Sequence, residues 1–414
     1  MNVAHSKGTK SEHAKRNGAQ LSPVHERMSR ARALAIAAIF LVGATLTASP
    51  LERPMHAVEQ IRGLTFVHDV ETIAIDRDRL PAMLQAQMEK GLPYSWSDYV
   101  TILHLLHLVD PSVKNVEKQL LDLLDQQVLA FYDPDTHVYY SIKQPPKGMP
   151  QVPGMSMDEA VAVHELTHAL QDQRFNIGPK DRELRDDTDA GMALHAVIEG
   201  EATLVMLAKM TEPMNMTVEQ IASNEMMLDA MSNASSAMAS NSSDAPPYFV
   251  KSLSFPYIAG LKFVAAAYRK GGWKAVDAIY DSPPQSTREV MHPDEYFAGH
   301  RTTNAFDDHP PLKLDSHLLA VDHLGEFHWN FLLGGNSARG WKGDRITVAQ
   351  NAFCNPTVLI ETKWESPESA KAFRDAYSAF LAKEKVDARI AAKGNEIDVA
   401  YGSDHALIER FIAR

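Results

Sequence analysis

His164 and His168 stand four residues apart in Val163-His164-Glu165-Leu166-Thr167-His168-Ala169-Leu170. On a helix, four residues turn through about 400°, so both imidazoles point the same way and can grip one Zn²⁺. Glu165 lies about 100° round from His164, where it can reach a water on that ion rather than the ion itself. A catalytic site of this kind needs a third protein ligand and one open position. Six residues past His168 the chain carries Arg174, which excludes a third histidine ligand there. The better candidate is Glu199, set in the otherwise apolar stretch from Ala196 to Met206. An unpaired carboxylate there would be expensive, and coordination resolves the cost. Glu201 is two residues on and faces away. His195 is one turn before Glu199 on the same side and reads first as a satisfied helix histidine, with ligation as the alternative. The single cysteine, Cys354, excludes a cysteine-based zinc site and an intrachain disulfide, so any metal falls to His, Asp or Glu.

The elements that must position these residues are legible around them. Ser156-Met157-Asp158-Glu159 is a capping box, and the spacing predicts a helix from there to about Phe175, closed by Gly178-Pro179. A second helix is expected from the Asp186–Asp189 cluster to about Met210. Before them, two β-rich runs flank Asp133-Pro134-Asp135, which predicts a hairpin over Val128–Ser141. Residues 55–127 show helical spacing, with amphipathic helices at Trp96–His107 and Val113–Leu124. Residues 212–247, rich in Met, Ser and Asn, are expected to be a mobile insert with one helix. Helices follow near 255–270 and 272–280, separated by Gly271-Gly272. After His309-Pro310-Pro311 the tail reads strand (345–350), strand (357–363), helix (367–382), strand (397–401), helix (404–413). The expected fold is α+β. A mostly helical core with a hairpin before the His164–His168 helix (residues 146–306) follows an N-terminal region (49–145). A small C-terminal α+β domain (307–414) completes it.

A histidine pair in HELTH, followed by a glutamate from a second helix, resembles the gluzincin class of zinc metallopeptidases, the thermolysin-like group. That resemblance implies a zincin-like core, Zn²⁺ on His164, His168 and Glu199, and Glu165 as general base. In Glu199-Gly200-Glu201-Ala202-Thr203, the Glu and Ala match the class, while Thr203 replaces the Asp that often supports a ligand histidine. Asp187 or Asp189 could serve instead. More specifically, AFYDP, HELTHALQDQ, IEGEAT, FPYIAG, GGW, PPQST, MHP and GWKGDR, spread over residues 120–370, resemble an uncharacterised set of exported bacterial proteins. Tyr257 and His292 lie where gluzincins often place a donor to the transition-state oxyanion. A structural role as turn residues packing the helices is the competing expectation for each.

Composition sets the remaining bounds. At 45% apolar and 23% charged residues the chain is ordinary globular protein, and its net charge of −12 argues against a nucleic-acid partner. Residues 33–48 carry no charge and follow Arg27, Arg30 and Arg32, as in a secretory signal, with Met28 a possible true start. The expectation is an exported protein, periplasmic or extracellular. Membrane association is expected only if residues 33–48 stay attached as an anchor. The expected activity is zinc-dependent hydrolysis of a peptide or protein substrate. The alternative is a zincin-shaped binding or scaffold protein with little turnover.

Overall fold

The computed structural model describes residues 51–144, 157–231, 245–302, 306 and 317–414. The expected signal at 33–48, the cap Ser156, the linker and the middle of the insert lie outside these residues. The described chain is mixed α and β, as expected, with two sheets.

Helix α1 (Glu52–Arg62) stops where Gly63 takes a left-handed φ of 66°. Strand β1 (Glu71–Ile75) follows, then helices α2 (Leu80–Gly91), α3 (Trp96–Leu105) and α4 (Val116–Gln127). The helical spacing read over 55–127 overlooks β1. Four of its five residues are exposed, so no apolar alternation announces it. Its order comes from parallel pairing with a strand much later in the chain, Glu71 opposite Val138. Helix α3 ends earlier than expected because His107 adopts φ 56°, and α4 starts later because Asn115 adopts φ 54°. The hairpin forms as expected: β2 (Ala130–Asp133) and β3 (Val138–Ile142) pair antiparallel, and the sheet runs β1-β3-β2 with β2 at its edge.

Helix α5 (Met157–Phe175) carries the histidine pair. Short α6 (Ile177–Glu183) leads to α7 (Thr188–Thr211), whose Asp187 cap accepts from the Ala190 N–H. Within the insert lies α8 (Val218–Ala222), with Thr217 and Gln220 as its capping box. Helix α9 (Pro247–Asp277) starts earlier than residue 255 and breaks at Gly271–Gly272, where Gly272 has φ 63°. By length and composition α7 and α9 are apolar enough to cross a membrane, but both are mostly buried in the core. Two short helices follow, α10 (Thr287–Met291) and α11 (Pro293–Phe297).

The C-terminal part is β4 (His317–Asp322), α12 (Gly325–Leu333), β5 (Trp341–Gln350), β6 (Pro356–Trp364), α13 (Pro367–Lys383), β7 (Ala388–Lys393), β8 (Glu396–Gly402) and α14 (His405–Ile412). Its five strands form one antiparallel sheet in the order β4-β5-β6-β8-β7. The expected tail lacks β4, α12 and β7. β4 and β7 are the outer strands, half exposed, and carry weak apolar patterns. Trp329, Trp341, Trp364 and Phe373 of this part join Leu80, Leu103, Leu120 and Leu124 of α2–α4 in a single buried cluster. A second cluster lies between α7 and α9, and a third between α1, α5 and the hairpin.

Candidate metal centre

Helices α5 and α7 lie side by side and bring His164, His168 and Glu199 together. All three are buried. His164 Nε2 lies 3.1 Å from Glu199 Oε2, His168 Nε2 lies 3.5 Å from the same oxygen, and the two Nε2 atoms are 3.2 Å apart. Four ligands arranged tetrahedrally at about 2.0–2.1 Å from a zinc ion sit about 3.3 Å from one another, so these separations suit one small cation. Among the described residues this is the group of His, Cys, Asp or Glu side chains able to share a metal.

The electrostatics point the same way. Burial opposes charge at His168, yet the Glu199 carboxylate overcomes it and lifts the imidazole to about 9. Burial would raise Glu199 as well, but His168 and His164 hold it down to about 2. Burial drives His164 toward its neutral form despite Glu199. The carboxylate is thus kept ionised, and without a cation only a proton on an imidazole balances it.

Glu165 stands beside the group and outside it. Its Oε2 accepts from the backbone N–H of Tyr132 on β2, at 3.0 Å. Its Oε1 is buried without a hydrogen-bond partner. Burial is the main cause that pushes its carboxyl up to about 8. An unpartnered carboxyl oxygen beside a three-ligand group is placed, once ionised, to take a proton from a water there. Strand β2, at the edge of its sheet, supplies that N–H. Tyr132 is itself pinned: its hydroxyl and His137 Nδ1 both bind Asp172 Oδ2, at 3.1 and 3.0 Å.

Tyr257 on α9 lies against His164, with ring centroids 6.1 Å apart, and its hydroxyl interacts with Glu199. Burial raises its pKa well above the ordinary value, so it stays a protonated donor. His292 is not brought to the group. Its Nε2 bonds Glu326 Oε1 at 2.8 Å and its Nδ1 faces Arg339, so the packing role is the one it fills here. His195 Nε2 bonds Asp181 Oδ1 at 2.6 Å and is not a ligand. Asp187 and Asp189 sit at the far end of α7, engaged with His323 and Thr287, and support neither ligand histidine.

The support of His168 comes from Gln171, which sequence reasoning did not single out. Gln171 Oε1 lies 2.9 Å from His168 Nδ1, while its Nε2 donates to the Ile198 carbonyl and to the Tyr280 hydroxyl. Its position three residues after His168 was the available signal, since that spacing shares a helix face. Thr203 Oγ1, at the position of the missing Asp, is buried without a hydrogen bond.

A cavity of about 240 Å³ lies among α2–α4, α7 and α9, and none of His164, Glu165, His168, Glu199 or Tyr257 lines it. Leu103, Leu106, Leu124 and Leu253 line it, and its wall includes His195, one turn before Glu199, and Pro256, next to Tyr257.

A family model described as a domain of unknown function (DUF8575) matches residues 319–409, from β4 into α14. No curated protein and no solved structure matches the chain.

Proposed function

We propose that the protein is an exported zinc metallopeptidase with a zincin-like core, in which His164, His168 and Glu199 hold the ion and a fourth position is left to water. The observation that carries this reading is the mutual spacing of the three ligand atoms, 3.1, 3.2 and 3.5 Å, with the unpartnered oxygen of Glu165 next to them. When bound, zinc lowers the pKa of its water to about 7 and polarises a carbonyl. Glu165 Oε1, in its ionised form, would accept a proton from an attacking water and return it to the leaving amine. The Tyr257 hydroxyl donates to the oxygen on which charge develops. The backbone N–H of Tyr132 fixes the orientation of Glu165, so its free oxygen is aimed before substrate arrives.

The scaffold alternative calls for a closed site with a fourth protein ligand. Among the described residues none joins the three, and His195 is committed to Asp181.

The test is Glu165→Gln, which keeps the size of the side chain and removes the base. Zinc content should stay near one per chain, while cleavage of an unfolded protein falls by about 10²–10⁴-fold. Equal cleavage by wild type and variant would sink the mechanism.

A further inference from the structure

A chain of buried polar contacts runs from His168 away from the cleft. His168 Nδ1 meets Gln171 Oε1 at 2.9 Å, Gln171 Nε2 donates to the Tyr280 hydroxyl at 2.9 Å, and that hydroxyl donates to Glu201 Oε2 at 2.6 Å. Arg62 Nε, on α1, donates to Glu201 Oε1 at 2.5 Å, and Arg62 Nη2 reaches Asp277 Oδ1 at 2.6 Å. The guanidinium lies 4.2 Å from the centre of the Trp273 ring, and Tyr280 stacks on Phe175. Gln171, Tyr280, Glu201 and Arg62 are all buried.

The direction of every proton in this chain follows from its far end. A carboxylate bound to a guanidinium only accepts, so the Tyr280 hydroxyl must give its proton to Glu201. Its oxygen is then left to accept, and it accepts from the Gln171 amide nitrogen. A second acceptor, the Ile198 carbonyl at 3.0 Å, holds the other amide hydrogen. The Gln171 oxygen is therefore the atom that faces His168, and His168 must carry its proton on Nδ1. The lone pair is left on Nε2, the atom directed at His164 and Glu199.

We propose that Glu201, anchored by Arg62, is a positioning residue of the metal centre: it acts through Tyr280 and Gln171 to fix the tautomer in which His168 presents Nε2. The proposal rests on the reading that His164, His168 and Glu199 bind a metal, and it adds a duty for α1, which contributes no ligand. Glu201 is two residues from a ligand and does not touch the site, yet it is as deeply buried as the ligand. A purely structural ion pair would serve that burial without the intervening tyrosine and glutamine.

The experiment measures zinc affinity of the full chain by competition with a chromogenic chelator, alongside ¹⁵N-histidine spectra of the zinc-free protein recorded at alkaline pH, where each imidazole carries a single proton. Tyr280→Phe breaks the chain at one hydroxyl and leaves the Arg62–Glu201 pair in place. It should weaken zinc binding by about 10–100-fold and turn the single Nδ1–H tautomer of His168 into a mixture. Glu201→Gln, whose amide can donate, should do the same. Trp273→Leu removes packing on Arg62 outside the chain and should lower the melting temperature with zinc affinity unchanged. If wild type binds no zinc, the metal-site reading itself fails. If wild type binds zinc and Tyr280→Phe binds it within two-fold with the His168 tautomer unchanged, the positioning role is overturned, whether or not Glu201→Gln folds.

Discussion

At the scale of single residues, the centre separates three duties that lie close together in sequence. His164, His168 and Glu199 gather their ligand atoms at one place, Glu165 keeps one oxygen without a partner, and the Tyr257 hydroxyl stays protonated beside Glu199. Removal of each should therefore fail differently. Glu199→Ala should lose zinc, because two imidazoles alone make an incomplete site. Tyr257→Phe should keep zinc and substrate affinity while kcat falls by about 10–10³-fold, the loss typical of one oxyanion donor. Metal analysis and steady-state kinetics on the two variants separate these outcomes, and a Tyr257→Phe enzyme with unchanged kcat would remove that residue from the chemistry. The convergence of His164 and His168 was legible because helical geometry converts a short sequence interval into a shared face. Gln171 was not, because its duty is assigned by Tyr280, which reaches it from far along the chain. His292 misled because a His-Pro turn looks the same in sequence whether it faces a cleft or a buried Glu326.

At the scale of elements, the distance between α7 and α9 sets where Tyr257 stands relative to Glu199. The two helices touch backbone to backbone. A methyl group on Gly260 would run into the Ala196 carbonyl, and one on Gly200 would run into the backbone of Gly260. Neither obstacle is a flexible side chain that can move aside. Gly260→Ala should therefore separate the helices, lower stability by about 1–3 kcal/mol or more, and move Tyr257 off the site. Thermal unfolding together with kcat checks this, and Gly191→Ala, on α7 with only an ordinary contact to the Leu184 carbonyl, is the matched control. The two long helices and the hairpin were readable from caps, turn residues and apolar runs. The closeness of α7 and α9 was not, since a glycine in a helix reads the same whether it faces solvent or another backbone. β1, β4 and β7 escaped for a related reason: an outer strand owes its order to its partner, and its own pattern is weak.

At the scale of the whole molecule, the C-terminal sheet and the helices that carry the candidate metal centre meet at the start of α7. Asp187 Oδ2 bonds His323 Nδ1 at 2.8 Å, and Asp322 binds the Thr188 N–H and hydroxyl. Burial works against a charged His323, but Asp187 overrides it and raises the imidazole to about 9. The folded value lies above the unfolded one, so the stabilisation is whole below about pH 6.5 and is lost as pH climbs through about 9. With His323 and Asp187 partly exposed, it amounts to on the order of 1–2 kcal/mol. Denaturant midpoints at about pH 6 and about pH 9.5 should differ more in wild type than in His323→Ala. An equal drop in both would assign the alkaline loss to other groups.

The cluster that joins α2–α4 to three tryptophans of the C-terminal part has a consequence for how the chain comes to exist. Leu103 and Leu124 are among the first core residues to leave the ribosome, and the surfaces that cover them, around Trp341, Trp364 and Phe373, are among the last. Contacts of such long sequence separation close slowly. The first part of the nascent chain must therefore wait, with its apolar helices uncovered, until synthesis is almost complete. Such a chain stays pliable during synthesis, at the cost of dependence on chaperones that shield it. Its folding should proceed as one late cooperative event rather than part by part, and a chain that stops short of β5 should be recovered as aggregate.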